Sequence, residues 1–246
     1  MRRFLKDPLY LIALATLFAI AIEFFGLRAL LSLDNRLSDF LVRKQALSLS
    51  PDPDIVIVDI DNDSLAAMAD VAGNWPWPRS VHGELAEGIY KQRPQAIVFD
   101  ILFSEPDKYR PESDKSFNEV IREIRNVYFP ILRLDHEDDT QGVKLKSMAG
   151  PLALQQTPKA DPEASAALLL PLVVEQSSWS AGTINYNEDK DGIGRNYDLY
   201  IQAYGWRIPS LPARLATDLC YAMADSESII LGWRGGAFGY EHTPYA

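Results

Sequence analysis

Hydrophobic residues follow three distinct patterns along the chain, and each pattern predicts a different kind of element. The run Pro8–Leu27 is apolar on every side, with Glu23 its only charge, and it has about the 20 residues needed to cross a hydrocarbon core. Over Ala29–Leu49 apolar residues recur at spacings of three and four, which predicts that the helix continues as a stalk. The proline-containing segment Ser50–Asp54 then ends it.

Beyond residue 54, short apolar runs alternate with amphipathic segments. We predict strands at 55–60, 96–103 and 127–134, of which the first two are apolar enough to be covered on both faces. Amphipathic helices are predicted from 63 or 64 to about 70, at 80–92 and at 113–125. Strand and helix in this order imply a parallel sheet with right-handed crossovers.

The second half of the chain is less regular. Residues 135–175 are expected to hold one or two short helices, and a final helix is predicted at 210–224. Between them, 179–186 and 196–204 alternate apolar and polar residues around a turn, which predicts an antiparallel hairpin. The predicted fold class is α/β, with a mostly parallel central sheet, flanking helices and a C-terminal antiparallel hairpin, preceded by a long N-terminal transmembrane and stalk helix.

The residues around the leading apolar run bear on how it meets a membrane. Arg2, Arg3 and Lys6 precede it, as expected for a cytoplasmic start, although basic residues also follow it. The triplet Ala19-Ile20-Ala21 matches the cleavage site of a signal peptide, whereas the apolar residues that continue past it favour an uncleaved anchor. Both interpretations place the rest of the chain on the outer side of the cytoplasmic membrane.

Composition narrows the classes of partner. The chain has 246 residues and a formal net charge of −10, so it lacks the basic surface that nucleic acid or an anionic lipid surface requires. Cys220 is the only cysteine, which excludes an intrachain disulfide. We therefore expect a folded acidic domain with no nucleic-acid partner.

The segment Trp75-Pro76-Trp77-Pro78-Arg79, with His82 close behind, is the first candidate site. Prolines restrict the backbone on both sides of each tryptophan, which makes a rigid aromatic surface with a cation at its edge. Asp100 falls inside a strand predicted to be buried, where a lone carboxylate is costly, so Arg79 is its expected partner. The segment is interpreted either as a ligand pocket or as a stiffened turn whose tryptophans fill the core.

Acidic residues close the first predicted strand. Asp61 and Asp100 would meet at the carboxyl edge of a parallel sheet, where α/β folds bind ligands. Asp59 and Asp61 also stand two apart after an apolar strand, as in haloacid-dehalogenase-like enzymes, but the lysine and second acidic pair of that class have no clear counterpart. The alternatives are a cation or polar-ligand site, a metal-dependent phosphohydrolase using Asp59, Asp61 and Asp100, and simple capping of the next helix within Asp61–Ser64.

A second acidic cluster is a weak candidate for a metal site. Asn187, Asp189, Asp191 and Asp198 approach the spacing of an EF-hand loop, but strand-like segments flank them, and Gly192 is equally typical of a plain turn. The sequence shows no metal-spaced cysteine and histidine cluster, no phosphate-binding glycine loop and no nucleophile elbow. No catalytic residue is therefore assigned, and no cofactor is expected apart from a possible structural cation.

Several of these segments, taken in order, resemble the second type of CHASE domain, the cyclase/histidine-kinase-associated sensory extracellular module. The resemblance covers roughly residues 34–220, which is most of the chain. It rests on Asp34-x-Arg36-Leu37-x-Asp39, Ile55–Ser64, Trp75–Arg79 with His82, Phe99–Phe103 with Glu105-Pro106, Gly182-x-Ile184-Asn185 with Asp189-x-Asp191-Gly192-x-x-Arg195, and Pro209-Ser210-Leu211.

The resemblance implies the sensor of a bacterial membrane receptor whose output is cytoplasmic, most often a nucleotide cyclase. Together with the patterns above, it gives the division 1–28 (cytoplasmic start and membrane helix), 29–50 (stalk), 51–232 (sensory domain) and 233–246 (tail toward the membrane or output region). A homodimer that signals through the stalk is expected, with a small molecule or a protein as stimulus. Asp61, Trp75, Trp77, Arg79, His82 and Asp100 are the predicted site, and a structural or partner-binding subunit remains an alternative.

Overall fold

The computed structural model describes residues 8–23, 29–236 and 239–246. The chain forms two compact units. The stalk unit comprises the described residues of Met1–Ile60 together with Gly232–Tyr245, and the sheet unit comprises Asp61–Leu231. The basic residues at 2, 3 and 6 and the end of the predicted membrane helix at 24–27 lie outside the described residues. The boundaries predicted at 28, 50 and 232 stay predictions.

The chain combines helices with short strands in several small sheets, so the class is mixed α/β. The helices are α1 (Pro8–Ile22), α2 (Ala29–Ser48), α3 (Asn62–Ala72), α4 (Arg79–Tyr90), α5 (Pro111–Glu123), α6 (Leu145–Met148) and α7 (Leu211–Asp218). The strands are β1 (Val56–Asp59), β2 (Ile97–Val98), β3 (Val127–Arg133), β4 (Val143–Lys144), β5 (Gln155–Gln156), β6 (Ser165–Ala166), β7 (Leu168–Leu169), β8 (Ala181–Thr183), β9 (Asn196–Asp198), β10 (Tyr200–Ala203), β11 (Trp206–Pro209), β12 (Ser228–Ile230) and β13 (Glu241–Pro244).

Helix α1 carries the apolar run at the start of the chain. None of its side chains is buried, and Leu9, Leu17 and Phe18 are each at least 66% exposed. Within the described ranges, no helix combines the length and the apolar character that a membrane span needs. The transmembrane helix expected at the start of the chain stays a prediction.

The helix predicted at 29–49 is confirmed as α2, and its role as a stalk stays a prediction. One of its faces packs inside the stalk unit, since Ala46 is buried and Val42 and Leu49 are half-buried. The backbone N–H of Gly235 donates to the carbonyl oxygens of Ala46 at 2.8 Å and Leu49 at 2.9 Å. These bonds satisfy carbonyls at the helix C-terminus that have no partner within the helix itself.

The first strand departs from its prediction. β1 was expected to be buried on both faces, but Val56 is 51% exposed and Ile57 is 36% exposed. The strand belongs to a two-stranded parallel sheet, in which Val56 lies opposite Glu241 and Asp59 opposite Pro244 of β13. A two-stranded sheet covers one edge of β1 and leaves its faces to other elements, so the apolar composition did not determine its burial.

Strand β3 is the centre of the main sheet. β2 runs parallel to it, with Ile97 opposite Val127, and β8 runs parallel to it, with Phe129 opposite Ala181. β7 is antiparallel to its far end, where Leu132 lies opposite Leu169. The central sheet is thus small and mixed, and the mostly parallel sheet that was predicted is only partly realised.

The second predicted strand, 96–103, is paired only over β2, and Pro130 in β3 explains its length. The Phe99 N–H donates to the carbonyl of Tyr128 at 3.0 Å, which is the last backbone bond from this segment to β3. The next β3 residue that would face β2 is Pro130, which has no N–H to donate. The ladder therefore stops, and Asp100 and the residues after it leave the sheet.

Aromatic side chains fill the space between this sheet and helices α4 and α5. The ring of Phe99 stacks on that of Phe129 with centroids 5.7 Å apart, and Phe103 lies 4.8 Å from Phe117. All four rings are at most 7% exposed. Truncating a buried aromatic ring costs about 3–5 kcal/mol, so this cluster is a major source of stability.

The hairpin predicted from 179–186 and 196–204 does not form. Residues 181–183 are all buried and pair with β3, whereas β9 pairs with β12, and β10 pairs with β11 around Tyr204-Gly205. A fully buried segment needs cover on both faces, which the central sheet supplies and a surface hairpin does not. Gly182 permits this position, because a Cβ there would lie 2.5 Å from the backbone of Leu211.

A buried polar network closes the carboxyl end of β3. The Arg133 guanidinium donates to Asp139 Oδ2 at 2.6 Å, and the same carboxylate accepts from Tyr204 Oη and from the Ala167 N–H, each at 2.8 Å. Asn185 bonds both backbone groups of Arg133, at 2.7 and 2.8 Å. Burial alone would raise the pKa of Asp139, but these donors hold it below its ordinary value.

We expect Asp139→Ala to lower the free energy of unfolding by about 3 kcal/mol, because it leaves the Arg133 charge buried without its partner. Thermal or chemical unfolding followed by circular dichroism measures this. Asp138→Ala is the matched control, since the Asp138 side chain is exposed, and it should change stability by less than about 0.5 kcal/mol. Equal effects of the two substitutions would contradict the role of the network.

Candidate functional site

The tryptophan-proline segment leads directly into helix α4. The Trp75–Pro76 peptide bond is cis, and Pro78 occupies the position just before the helix. The Trp77 ring is 2% exposed, whereas Trp75 is 43% exposed, and the two rings meet edge to face at 5.2 Å. One tryptophan thus belongs to the core and the other forms part of the surface.

His82 lies beneath this loop in an aromatic cage. It is 2% exposed, and its ring lies 5.8 Å from Trp75, 6.2 Å from Trp77 and 5.9 Å from Phe103, measured between centroids. Burial disfavours the charged imidazolium, and the nearby Arg79 charge adds to this effect, so the pKa of His82 falls to about 4. His82 is therefore a neutral core residue at neutral pH.

The expected pair of Arg79 and Asp100 is wrong. Arg79 Nη1 lies 3.3 Å from an oxygen of Asp114 and 3.8 Å from one of Asp107, and Arg79 Nη2 donates to the Glu105 carbonyl at 2.6 Å. Asp100 is exposed, because the chain leaves the sheet just before it. Water can solvate the Asp100 carboxylate directly. The predicted pair was expected because a buried carboxylate needs a cation, and this carboxylate is not buried.

Asp107 and Asp114 join the loop to the start of α5. The Asp107 N–H donates to Asp114 Oδ2 at 2.7 Å, and Asp107 accepts from Arg110 Nε at 2.8 Å. Arg110 reaches back to the Pro76 carbonyl at 3.4 Å. Burial would raise the pKa of Asp107, but hydrogen bonds from Tyr109 and Arg110 lower it overall. The sequence signal for this network was Asp107-x-x-Arg110-Pro111, which is typical of a chain turning into a helix.

Asp61 has the capping role that was weighed against a ligand site. Its Oδ1 accepts from the Ser64 N–H at 2.7 Å at the start of α3, and this bond lowers the pKa of Asp61. Asp59, in the stalk unit, pairs with His242 Nδ1 at 2.5 Å. Among the described residues no group of three histidine, cysteine or acidic side chains could hold a metal ion. The Asp59, Asp61 and Asp100 set therefore has no support as a metal centre.

The loop between 187 and 198 is organised by an arginine. Arg195 donates to Asp189 at 2.6 Å and to Asp191 at 2.8 Å, and Asn187 donates to Asp198 at 3.1 Å. Gly192 adopts a φ of +75°, and its N–H closes a turn on the Asp189 carbonyl at 2.8 Å. The Arg195 bond also lowers the pKa of Asp191. Asp189 and Asp191 thus share one arginine, and the turn interpretation fits the loop.

The structure brings Trp75, Trp77, Arg79 and His82 together, and it gives Asp61 and Asp100 separate surroundings. The contacts that join the four are structural: an aromatic cage around His82 and a network of ion pairs around Arg79. Trp75 is the most accessible of the three aromatic side chains. The assignment of all six residues to a stimulus-binding site stays a prediction.

Comparison with known protein families identifies the family of this chain. The family model of the CHASE2 domain matches residues 12–244, so the chain belongs to the CHASE2 family. This family consists of extracellular sensory domains of signalling receptors, and the domain is non-catalytic. No curated protein and no solved structure matches the chain significantly.

The buried histidine predicts a specific dependence of stability on pH. The unfolded chain binds a proton at His82 near pH 6.5, but the folded chain does so only near pH 4. The unfolded state therefore binds more protons between these values, and the free energy of unfolding should fall by roughly 3 kcal/mol from pH 7 to pH 4. Chemical unfolding of the chain at a series of pH values measures this slope.

Two variants separate His82 from the other titrating groups. His82→Gln should reduce the fall in stability between pH 7 and pH 4 by most of that amount, because glutamine does not titrate. His136→Gln is the matched control, since His136 is exposed, and it should keep the slope of the unchanged chain. A slope that survives His82→Gln would contradict the buried neutral histidine.

Proposed function

We propose that this chain is the extracytoplasmic sensory domain of a membrane-anchored bacterial receptor that passes its signal to a cytoplasmic output. The observation that carries the proposal is the match to the CHASE2 domain over residues 12–244. A nucleotide cyclase is the output that the sequence resemblance favours. The chain itself acts by binding and changing conformation rather than by catalysis.

Anchoring by the leading helix is supported by its composition. Fifteen residues of α1 contain no charge and no buried side chain, and the apolar sequence continues through Leu27. A helix that is apolar all round is stable in the core of a protein or in lipid, and α1 has no protein core around it. Arg2, Arg3 and Lys6 favour a cytoplasmic N-terminus.

A topology reporter tests this placement. Alkaline phosphatase fused after Ala246 should be active and membrane-bound in a bacterial host, because the enzyme requires the periplasm and an uncleaved anchor retains the fusion. Released, active fusion would indicate a cleaved signal peptide instead. Inactive phosphatase, together with fluorescence of a green fluorescent protein at the same position, would place the domain in the cytoplasm and overturn the receptor proposal.

Dimerisation through α2 is the second part of the proposal. Leu33, Leu37, Phe40 and Leu47 are each 58–69% exposed. With Lys44 they recur at alternating spacings of four and three, which is the seam of a coiled coil. The seam lies on the side of the helix opposite the face that packs in the stalk unit. A second copy of the chain provides the same seam and fits it with parallel helices.

A parallel pair of stalks suits a signalling role. A stimulus changes output only when it binds one packing arrangement of the dimer more tightly than another. A polar residue at one seam position, as Lys44 provides here, weakens a coiled coil and sets its register. Such a marginal seam allows two arrangements of similar free energy, which the sensory domain can bias.

We expect Leu37→Glu to weaken the dimer at least about tenfold, because it places two like charges in the seam. Analytical ultracentrifugation of the detergent-solubilised chain measures the dissociation constant. Ser38→Glu adds the same charge to an exposed position off the seam and should leave the dimer intact. In a chain that carries Cys220→Ser, Phe40→Cys should give a disulfide-linked dimer on oxidation, and Ser38→Cys in the same background should not. Equal behaviour of the paired variants would refute the seam.

A further inference from the structure

A groove of about 630 Å³ lies in the sheet unit, at the end where α4 and α5 terminate and the chain enters β2 and β3. Its position is away from the tryptophan-proline loop, which lies at the opposite end of α4. The walls of the groove come from two connecting segments, one that follows α4 and one that follows α5. The lining residues are Tyr90, Lys91, Arg93, Pro94, Arg125 and Asn126.

The groove is basic in a chain whose net charge is −10. Within the described part of the chain, neither Arg93 nor Arg125 forms an ion pair, although the nearby Arg122 pairs with Glu175. Lys91 pairs with Glu87 at 2.9 Å, but both side chains are more than half exposed. An exposed pair of this kind contributes little to stability, so Lys91 can turn to another anion at small cost.

Helix termini account for only part of this charge. The C-termini of α4 and α5 each carry the equivalent of about half a negative charge, which attracts basic side chains. Together they offset about one of the three positive charges, and Glu87 offsets another. The groove keeps an excess of positive charge after both contributions.

The backbone of Arg93 adopts a conformation that arginine seldom takes. Its φ is +59°, in the left-handed region that glycine and asparagine adopt most easily. A helix ending of this kind ordinarily takes glycine. Here an arginine occupies the position and lines the groove, so a guanidinium is present where glycine would be the less strained residue.

The geometry of the groove is held by Asn126. Its Nδ2 donates to the carbonyls of Pro94 at 2.7 Å and Gln95 at 3.1 Å. These bonds tie the connection before β2 to the connection before β3, so Arg93 and Arg125 are carried on linked segments. A site whose walls are held in this way loses less conformational entropy when a ligand binds.

From these observations we propose that the groove is a binding site for a small, multiply charged oxyanion. The planar guanidinium of arginine matches phosphate and carboxylate oxygens with two parallel hydrogen bonds, and two arginines favour a ligand with more than one negative group. Tyr90 and Pro94 offer apolar surface to the rest of such a ligand. The proposal does not depend on the receptor function, because binding is measurable on the isolated chain.

Isothermal titration calorimetry of the detergent-solubilised chain at low ionic strength tests it, with pyrophosphate and citrate as the phosphate and carboxylate probes. At least one probe should bind saturably with a dissociation constant below about 1 mM. Arg93→Asn, which suits the left-handed backbone, and Arg125→Gln should each weaken binding about tenfold or more. Arg122→Gln removes a positive charge of the same helix region outside the groove, and binding should change less than about twofold.

Three results would overturn the proposal. The first is that the unchanged chain binds neither probe, the second that Arg122→Gln weakens binding as much as Arg125→Gln, and the third that the Arg93→Asn, Arg125→Gln double variant keeps full affinity. The second result would indicate general attraction of anions by surface charge. All substituted side chains are exposed, so each variant should keep the circular dichroism spectrum of the unchanged chain.

Discussion

The burial of strand β3 is the constraint on which the sheet unit depends. Its first five residues are buried, and a central strand needs a hydrogen-bonding partner along each edge and cover on each face. β2 and β8 meet the first need, and the phenylalanine cluster meets the second on the side of α4 and α5. Pro130 breaks one edge of the ladder, which shortens β2 and brings Asp100 to the surface. The exposed position of a predicted site residue therefore follows from a proline in the neighbouring strand.

The residues chosen as a candidate site stabilise the structure around this strand. His82 and Trp77 extend the aromatic core from Phe99 and Phe103 toward the surface. Arg79 and its two carboxylate partners tie the same loop to the start of α5. Trp75 is the accessible aromatic member of the group. The basic groove at the other end of α4 has the opposite character, because its two arginines are exposed and form no ion pair within the described part of the chain.

The stalk unit has a different organisation, which bears on how a signal is transmitted. Segments from both ends of the chain belong to it, because β13 pairs with β1 and Gly235 bonds to the end of α2. Helix α2 therefore carries two distinct faces, one packed against its own chain and one with an apolar seam. In the proposed dimer, a change in packing on the first face would alter the seam on the second, since both belong to one rigid helix.

Helices were determined largely by the local sequence. The positions of α2, α3, α4 and α5 follow from the spacing of apolar residues and from caps such as Asp61, which act within a few residues. The segments that resemble CHASE2 domains also have local or close-range reasons: Gly182 permits a tight backbone approach, and Ser210 caps α7. Family membership was therefore readable before the fold was seen.

Only the tertiary structure decided which strands pair with each other. The sequence predicted strands near residues 55, 97, 127 and 181, but periodicity does not say which strand lies beside which. That choice placed β8 next to β3, and it replaced one hairpin with three different pairings. The sequence could not predict the partner of Arg79 either, because an arginine side chain binds whichever carboxylate the fold brings within a few ångströms. Local propensity acts over a turn of helix, whereas strand order and ion pairs depend on contacts between residues far apart in the chain.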